Sequence, residues 1–456
     1  MRLFCALGLA LGLAITTNPS HAAVSEQEAK RLEGDLTPMG AERAGNQAGT
    51  IPAWDGGLSA PPPGIGFQPG GHHPDPFASD KPLYTVTPAN MAQYDALLTE
   101  GHKGLLEAYP DSYVMNVYPS RRSCAFPKHV YEAVRRNAVN AKMTDDGYGV
   151  TGASIGSPFP IPQSAQEVMW NHELAHRGGR VWRDSAEAAP NKNGGFTILT
   201  SIDQWIYSYG DPSLATAADS GNLVFRYMKL GITPPSNAGT VLVMHYTLNQ
   251  VAEEAKIWVY KPGARRVIRL TGSGYDGPDP ESEGIRTADN FAVFNGATDR
   301  YDWKLHGKQE KIIPYNTYRL ASPELQYKDV LGEHHLNPEA MRYELHRVWV
   351  VEGRLKPGKQ HGIAARRVMY HDEDSWIPVA TALFDSTDEL VRVQEGHVFP
   401  YYDQPLCAIG SDVVYNVKDG GYHIMGMRNQ QKPVQFNVEM DAELFSPAGM
   451  RRVGVR

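Results

Sequence analysis

The sequence contains few cysteines and lacks most of the short motifs that identify enzymes. Its 456 residues include three cysteines, and no C-x-x-C pair occurs. The Walker-type phosphate-binding loop G-x-x-x-x-G-K-[ST] is also missing. The formal net charge is −7, without a long basic run. Because binding to a phosphate backbone requires clustered positive charge, the sequence predicts no nucleic-acid partner. The sequence also indicates no cofactor.

Long apolar runs are absent beyond the N-terminus. There, Arg2 precedes an uncharged apolar stretch over residues 3–15, and Pro19 and Ala22 follow. This is the three-part pattern of a secretory signal, and the stretch is shorter than the roughly 20 residues that span a bilayer. We therefore expect residues 1–22 to be a cleaved signal peptide and the mature protein to be periplasmic. A buried N-terminal helix is the alternative.

Cleavage of the signal would remove Cys5 and leave Cys124 and Cys407. Two cysteines in an oxidising compartment favour one disulfide, and two free buried thiols are the alternative. The disulfide would close a loop that includes most of the mature chain. Loop-closure entropy would then contribute at most about 5 kcal/mol.

The first part of the mature chain differs in composition from the rest. Residues 23–82 are rich in proline and glycine, which predicts an extended arm over the surface. Apolar spacing then predicts helices over residues 88–106, 128–143 and 164–176.

From about Gly195 the pattern changes to short runs rich in valine, isoleucine, tyrosine, tryptophan and threonine, separated by turn residues. The predicted strands cover residues 195–209, 222–229, 240–249, 256–260, 266–270, 300–306, 346–351, 365–371, 376–384, 390–398 and 412–417. Their short links favour an antiparallel meander over βαβ units. We expect residues 83–456 to form one mainly β domain with covering helices.

Eight stretches, in order along the mature chain, carry a resemblance to a known family. They are GDLTPMGAERAGN (34–46), GTIPAWDGG (49–57), PFPIP (158–162), WNH (170–172), FNG (294–296), DRYDWKL (299–305), PYN (314–316) and DEDSW (372–376). They resemble the family "domain of unknown function 1329", periplasmic proteins related in fold to the outer-membrane lipoprotein carriers LolA and LolB. The resemblance implies an open antiparallel half-barrel, with helices covering its concave apolar side.

The resemblance also implies a function. Such carriers hold acyl chains or other greasy molecules, and members of this family look like accessories of resistance-nodulation-division (RND) transporters and outer-membrane proteins. Transfer of an acyl chain out of water is worth about 0.8 kcal/mol per CH₂, so binding requires no catalytic residue. We therefore expect a periplasmic carrier of a lipid or other hydrophobic molecule. A ligand-free structural partner of an outer-membrane complex, with a fully packed core, is an alternative.

One motif indicates an enzyme instead. Residues 172–176 read H-E-x-x-H, and on a helix His172 and His176 would share a face. The two histidines could then bind zinc, and Glu173 could activate its bound water. However, Gly178 and Gly179 follow closely, and no third ligand is evident nearby. A zinc-dependent hydrolase is therefore an alternative to the carrier, which would have no metal at these residues.

An acidic loop is a further candidate for metal binding. Its carboxylates are Asp276, Asp279, Glu281, Glu283 and Asp289. Calcium takes oxygen ligands from such loops, but the spacing fits no EF-hand. The sequence favours a solvated acidic loop.

Overall fold

The protein is built around a large β-sheet, seen in a computed structural model that describes residues 24–213, 220–271 and 276–454. The predicted signal peptide, residues 1–22, lies outside these described residues. Within them, sixteen strands form the main sheet, and two short strands, β3 and β4, form a separate pair.

The strands are β1 (Tyr84–Val86), β2 (Met115–Tyr118), β3 (Lys142–Met143), β4 (Val150–Thr151), β5 (Arg180–Ala188), β6 (Ile198–Ile206), β7 (Leu223–Thr233), β8 (Val241–Thr247), β9 (Lys256–Lys261), β10 (Arg266–Leu270), β11 (Tyr301–Pro314), β12 (Tyr343–Leu355), β13 (Arg366–Asp372), β14 (Pro378–Phe384), β15 (Leu390–Tyr401), β16 (Leu406–Asn416), β17 (Tyr422–Met427) and β18 (Gln435–Phe436). The α-helices are α1 (Glu26–Ala29), α2 (Glu100–Ala108), α3 (Lys128–Asn140), α4 (Ala165–Glu173), α5 (Tyr327–Val330) and α6 (Pro447–Gly454).

Two antiparallel meanders make up most of the sheet. Strands β5 to β10 form one meander and β11 to β17 form the other, each in chain order. They join where β17 pairs with β5, with Ile424 opposite Ala188. Within the described residues, β10 and β11 each pair with a single strand, so the sheet remains open. The predicted open antiparallel sheet is confirmed.

The sheet curves around α4. The Oε2 atom of Glu173, at the end of α4, accepts a hydrogen bond from the Tyr246 hydroxyl of β8 at 2.8 Å. The same helix packs against β11 and β12 of the other meander. Strands so far apart in the sheet order reach one helix because the sheet bends around it. We call the side that packs on α4 the inner face.

The opposite face is covered by other elements. Helix α2 packs on β14 and β15, and α6 packs on β8, β9 and β10. Val243 and Tyr260 contribute to the apolar cluster under α6, together with Met450 of that helix. Within the described residues no helix is long and apolar enough to cross a membrane.

All three predicted helices differ from their predicted bounds, and α3 ends at Asn140 instead of residue 143. The helix predicted over residues 88–106 is a 3₁₀ turn, Met91–Leu97, followed by α2. A new helix, α2, begins after Leu98 because the Thr99 side chain accepts a hydrogen bond from the His102 amide at 3.1 Å and caps its N-terminus. Helix α4 begins as predicted, with Ser164 and Glu167 in a capping box, but it ends at Glu173 rather than His176.

The described part of the N-terminal arm, residues 24–82, has no strand of the main sheet, but it does not lie on the surface throughout. Met39, Ala41 and Ile51 are buried. The Trp376 indole donates to the Met39 carbonyl at 3.0 Å, and Arg122 Nη1 donates to the Glu42 carbonyl at 2.8 Å. This part of the arm is therefore packed into the protein.

Candidate functional site

The inner face contains a cavity of about 110 Å³ between the end of α4, strands β5 and β6, and β16. The side chains that line its apolar wall include Val181, Trp205, Phe291, Ile377 and Phe436. An apolar cavity of about 150 Å³ holds a benzene molecule, so this one has room for a few methylene groups. The sequence prediction named no cavity residue, because a register error of one residue would reverse every assignment.

Polar side chains occupy one part of the cavity wall. His172, His176 and Arg177 come from the end of α4 and the segment after it, and Arg183 comes from β5. Arg183 forms an ion pair with Asp203 at 2.9 Å. Few polar groups around an apolar space are typical of sites for small amphiphilic molecules.

The H-E-x-x-H residues are in this region, but their side chains point to different partners. His172 Nε2 lies 2.9 Å from the Phe294 carbonyl oxygen. His176 packs edge-on against His129, with ring centroids 5.8 Å apart. Glu173 instead bonds to Tyr246. Because α4 ends at Glu173, His172 and His176 do not share a helix face. In the described part of the chain, the two histidines and Glu173 do not bring three ligand atoms close enough together to bind a metal ion.

Burial sets the ionisation of these groups. It lowers the pKa of His172 well below its usual value and that of His176 to about 4. It raises the pKa of Glu173 to about 7, although the bond from Tyr246 opposes the rise. At neutral pH both imidazoles are therefore uncharged.

A second group of titratable side chains was missed by the sequence prediction. In the described residues, His346, Asp372 and Asp374 bring potential metal-ligand atoms within 4.8 Å of one another. Asp374 is already bound by Arg122, at 2.6 Å from Nη2 and 2.9 Å from Nε. His346 Nε2 lies 3.0 Å from Glu344 Oε2. These contacts identify a buried ion network, and the DEDSW motif was its sequence signal.

The same network anchors the arm. Glu373 accepts from Arg347 Nε at 2.7 Å and from Lys308 Nζ at 2.9 Å, and its Oε2 accepts from the Glu42 amide at 3.2 Å. Arg347 Nη2 donates to the Ala44 carbonyl at 2.8 Å. Two stretches of the family resemblance, 34–46 and 372–376, therefore meet at one buried site.

The structure contains the predicted disulfide. Cys124 and Cys407 are bonded, with their Cα atoms 5.5 Å apart, across 283 positions of sequence. Cys407 also lines the cavity. The disulfide thus connects the segment before α3 to the cavity strand β16.

The prediction that the acidic loop is solvated is wrong for Asp289 and Glu281. Asp289 is buried and accepts from Arg367 Nη2 at 2.8 Å and from His361 Nε2 at 3.1 Å. Burial opposes its ionisation, but Arg367 and His361 outweigh burial and lower the pKa of Asp289. Glu281 pairs with Lys229. Internal cations therefore neutralise carboxylates that the sequence assigned to solvent.

The fold and cavity define a class of protein: an open, curved antiparallel sheet with helices against its inner face and a small cavity beside them. Among known proteins, the family model described as "Protein of unknown function (DUF1329)" matches residues 85–451. An uncharacterized protein of Pseudomonas aeruginosa, PA3922, is 41% identical over 448 residues, which are 98% of this chain and 97% of that protein. The chain therefore belongs to the DUF1329 family, and the resemblance seen in the sequence is confirmed.

Solved structures with a similar chain course include two bacterial proteins. A DUF1329 family protein from Desulfovibrio piger is 13% identical, with a TM-score of 0.41, covering 60% of this chain and 92% of its own. A putative outer membrane lipoprotein-sorting protein domain from Vibrio parahaemolyticus is 13% identical, with a TM-score of 0.42, covering 63% of this chain and 97% of its own.

Proposed function

We propose that this protein is a periplasmic carrier that binds the apolar chain of a lipid or other amphiphile on the inner face of its sheet. The cavity beside α4 is the observation that carries the proposal. The carrier would serve envelope transport beside an RND-type transporter or an outer-membrane protein, as the family resemblance implies. The predicted signal peptide and the disulfide support the periplasmic location.

An apolar row on the inner face begins at Trp205 of the cavity wall. Cross-strand pairing places Trp205 opposite Tyr227, Tyr227 opposite Met244, Met244 opposite Ile257, and Ile257 opposite Leu270. Residues that are directly opposite each other share one face of a sheet. The row therefore extends from the cavity wall to the edge strand β10.

The far end of this row, Leu270, is open to solvent, and so is Ile268 of a second row beside it. Ile268 and Leu270 of β10 are 53% and 42% exposed, whereas Trp205 at the cavity is 6% exposed. A second apolar row, Leu242, Val259 and Ile268, runs beside the first. A cavity with room for a few methylene groups would hold one end of a chain, and these rows would cover the remainder.

Filling the cavity tests the proposal. Ala408 lines the cavity and is half-buried, so Ala408→Phe adds a ring at the cavity wall. We expect this variant to lose at least ten-fold in affinity for a fluorescent fatty-acid analogue, measured by titration of the delipidated mature protein. Each CH₂ excluded from the site costs about 0.8 kcal/mol, so two suffice for that loss.

Ala321→Phe is the matched control, because Ala321 is equally half-buried and lies outside the cavity lining. It should bind the probe like the wild type. Equal binding by wild type and Ala408→Phe would exclude the cavity as the site. Absence of probe binding by the wild type would contradict the carrier function and favour the ligand-free structural role.

A further inference from the structure

Arg428 is a buried cation beside the cavity. It follows β17 and is 5% exposed. Its guanidinium carbon lies 4.2 Å from the centre of the Phe399 ring and 5.5 Å from that of Tyr401. Nη1 donates to the Tyr401 hydroxyl. Stacking on two aromatic rings fixes the plane of the guanidinium group.

The rest of this guanidinium group is unsatisfied. Within the described residues Nε and Nη2 have no hydrogen-bond partner. Burial lowers the pKa of Arg428, Tyr401 opposes this change, and Arg183 adds to it. A buried charge without a counter-ion destabilises a fold by several kcal/mol, so its presence requires a reason.

The guanidinium group lies directly behind two residues of the cavity lining, although Arg428 itself is not part of that lining. Tyr401, which accepts from Nη1, is part of the cavity lining. So is Gly410, and Nη2 lies 3.0 Å from the point where a Cβ atom on Gly410 would stand. Because glycine has no side chain, Nη2 lies directly against the Gly410 backbone of the cavity wall.

Two further arginines increase the positive charge there. Arg177 lines the cavity, and its Nη2 donates to the His172 carbonyl at 2.8 Å rather than to a carboxylate. Arg183 also lines it but is neutralised by Asp203. Asp412, the carboxylate of the lining, is paired with Arg286. The charged groups of this wall therefore leave a net positive charge.

We propose that Arg428, assisted by Arg177, binds the oxyanion head group of the carried amphiphile, a carboxylate or a phosphate. The inference rests on the proposed carrier function and adds the class of ligand: a single anionic group on an apolar chain. The planar donor pair Nε and Nη2 matches two oxygen atoms of either group. The apolar wall then receives the first carbon atoms of the chain.

Three ligands with one identical chain separate head-group recognition from chain binding: dodecanoate, dodecyl phosphate and dodecanol. Calorimetric titration of the delipidated mature protein at neutral pH should show at least ten-fold tighter binding of one or both anions than of dodecanol. The tighter anion identifies the head group. Equal affinity for all three would overturn the inference and leave the carrier function standing, whereas binding of none would contradict both.

Variants at the two arginines complete the test. Arg428→Met removes the positive charge, so the variant should lose ten-fold or more in anion affinity. Because the methionine side chain still covers Phe399, the affinity for dodecanol should be unchanged. Arg177→Gln should lose a smaller factor. Arg180→Gln, an exposed arginine near the start of β5, is the control and should lose nothing.

A purely structural role of Arg428 predicts a different outcome. Removal of an uncompensated buried charge should raise the melting temperature of ligand-free Arg428→Met above that of the wild type. A lower melting temperature, together with an equal loss of affinity for dodecanol and both anions, would show that Arg428 only supports the fold.

Discussion

At the scale of single residues, Glu173 is a carboxyl group that burial keeps partly protonated. Its Oε2 atom accepts from Tyr246, and Oε1 has no hydrogen-bond partner within the described residues. Its pKa is raised from 4.5 to about 7. The folded state therefore binds more protons than the unfolded state between these values, and stability falls as pH rises through that range.

Glu173→Gln should remove this pH dependence. Glutamine does not titrate and keeps an acceptor for Tyr246, so the variant should gain stability relative to the wild type as pH rises from 5 to 8. The gain should reach at most roughly 3 kcal/mol, from the pKa difference. Urea unfolding at both pH values measures it, with exposed Glu132→Gln as control. If the free energy of unfolding of the variant differs from that of the wild type by the same amount at pH 5 and pH 8, the raised pKa of Glu173 is refuted.

The buried ion network gives a second prediction. Arg122 binds both oxygens of Asp374, and both side chains are 2% exposed. Arg122→Gln leaves buried carboxylates without their partner, so it should lower the free energy of unfolding by about 3–5 kcal/mol. Arg31→Gln breaks the exposed bidentate pair with Asp35 and should cost less than about 1 kcal/mol. If chemical denaturation shows similar losses of unfolding free energy for Arg122→Gln and Arg31→Gln, burial of the network does not contribute to its strength.

At the scale of elements, α2 lies close to β15 because of two glycines. A Cβ atom on Gly101 would lie 2.7 Å from Val393 Cγ1, and Val393 is fully buried in the sheet. One on Gly104 would lie 2.1 Å from Leu390 Cδ2, at the end of a flexible side chain.

Gly101→Ala should therefore destabilise the protein by about 1–3 kcal/mol, because overpacking against a rigid β-branched residue exceeds the gain of about 1 kcal/mol in helix propensity. Gly104→Ala is the comparison, and we expect it to cost less because Leu390 can change rotamer. Thermal unfolding measures both. A stabilised Gly101→Ala variant would contradict the close helix–sheet contact.

The disulfide is a second element-scale constraint. Its loop covers 283 positions, so closure entropy is large and loss of the bond should cost about 2–5 kcal/mol. Cys124→Ala combined with Cys407→Ala should show this loss in chemical denaturation. Unchanged stability would mean that the connection between the segment before α3 and β16 does not constrain the unfolded chain.

Local sequence signals predicted elements better than they predicted contacts. Residues 266–270 are predicted and found as β10, and the helix predicted from residue 164 has Ser164 as its N-cap. Strands β5 and β17 were missed, although they join the two meanders, because their pairing is not encoded in either strand alone. The same limit hid Arg428, whose significance depends on Tyr401, Phe399 and Gly410 from other strands.

At the scale of the whole molecule, the open sheet provides both the cavity and the exposed apolar rows. A closed barrel would have paired β10 and covered Ile268 and Leu270. Helix α4 covers part of the inner face, and the cavity lies at the end of this helix. The central claim is that an anionic amphiphile occupies this space.

Native mass spectrometry of the mature protein purified from the periplasm, with solvent extraction of the bound material, tests that claim most directly. We predict one lipid-sized anionic adduct per chain, absent from Ala408→Phe and retained by Ala321→Phe. A protein that carries no lipid in any form, or stoichiometric zinc that is lost on His172→Ala, would contradict the account.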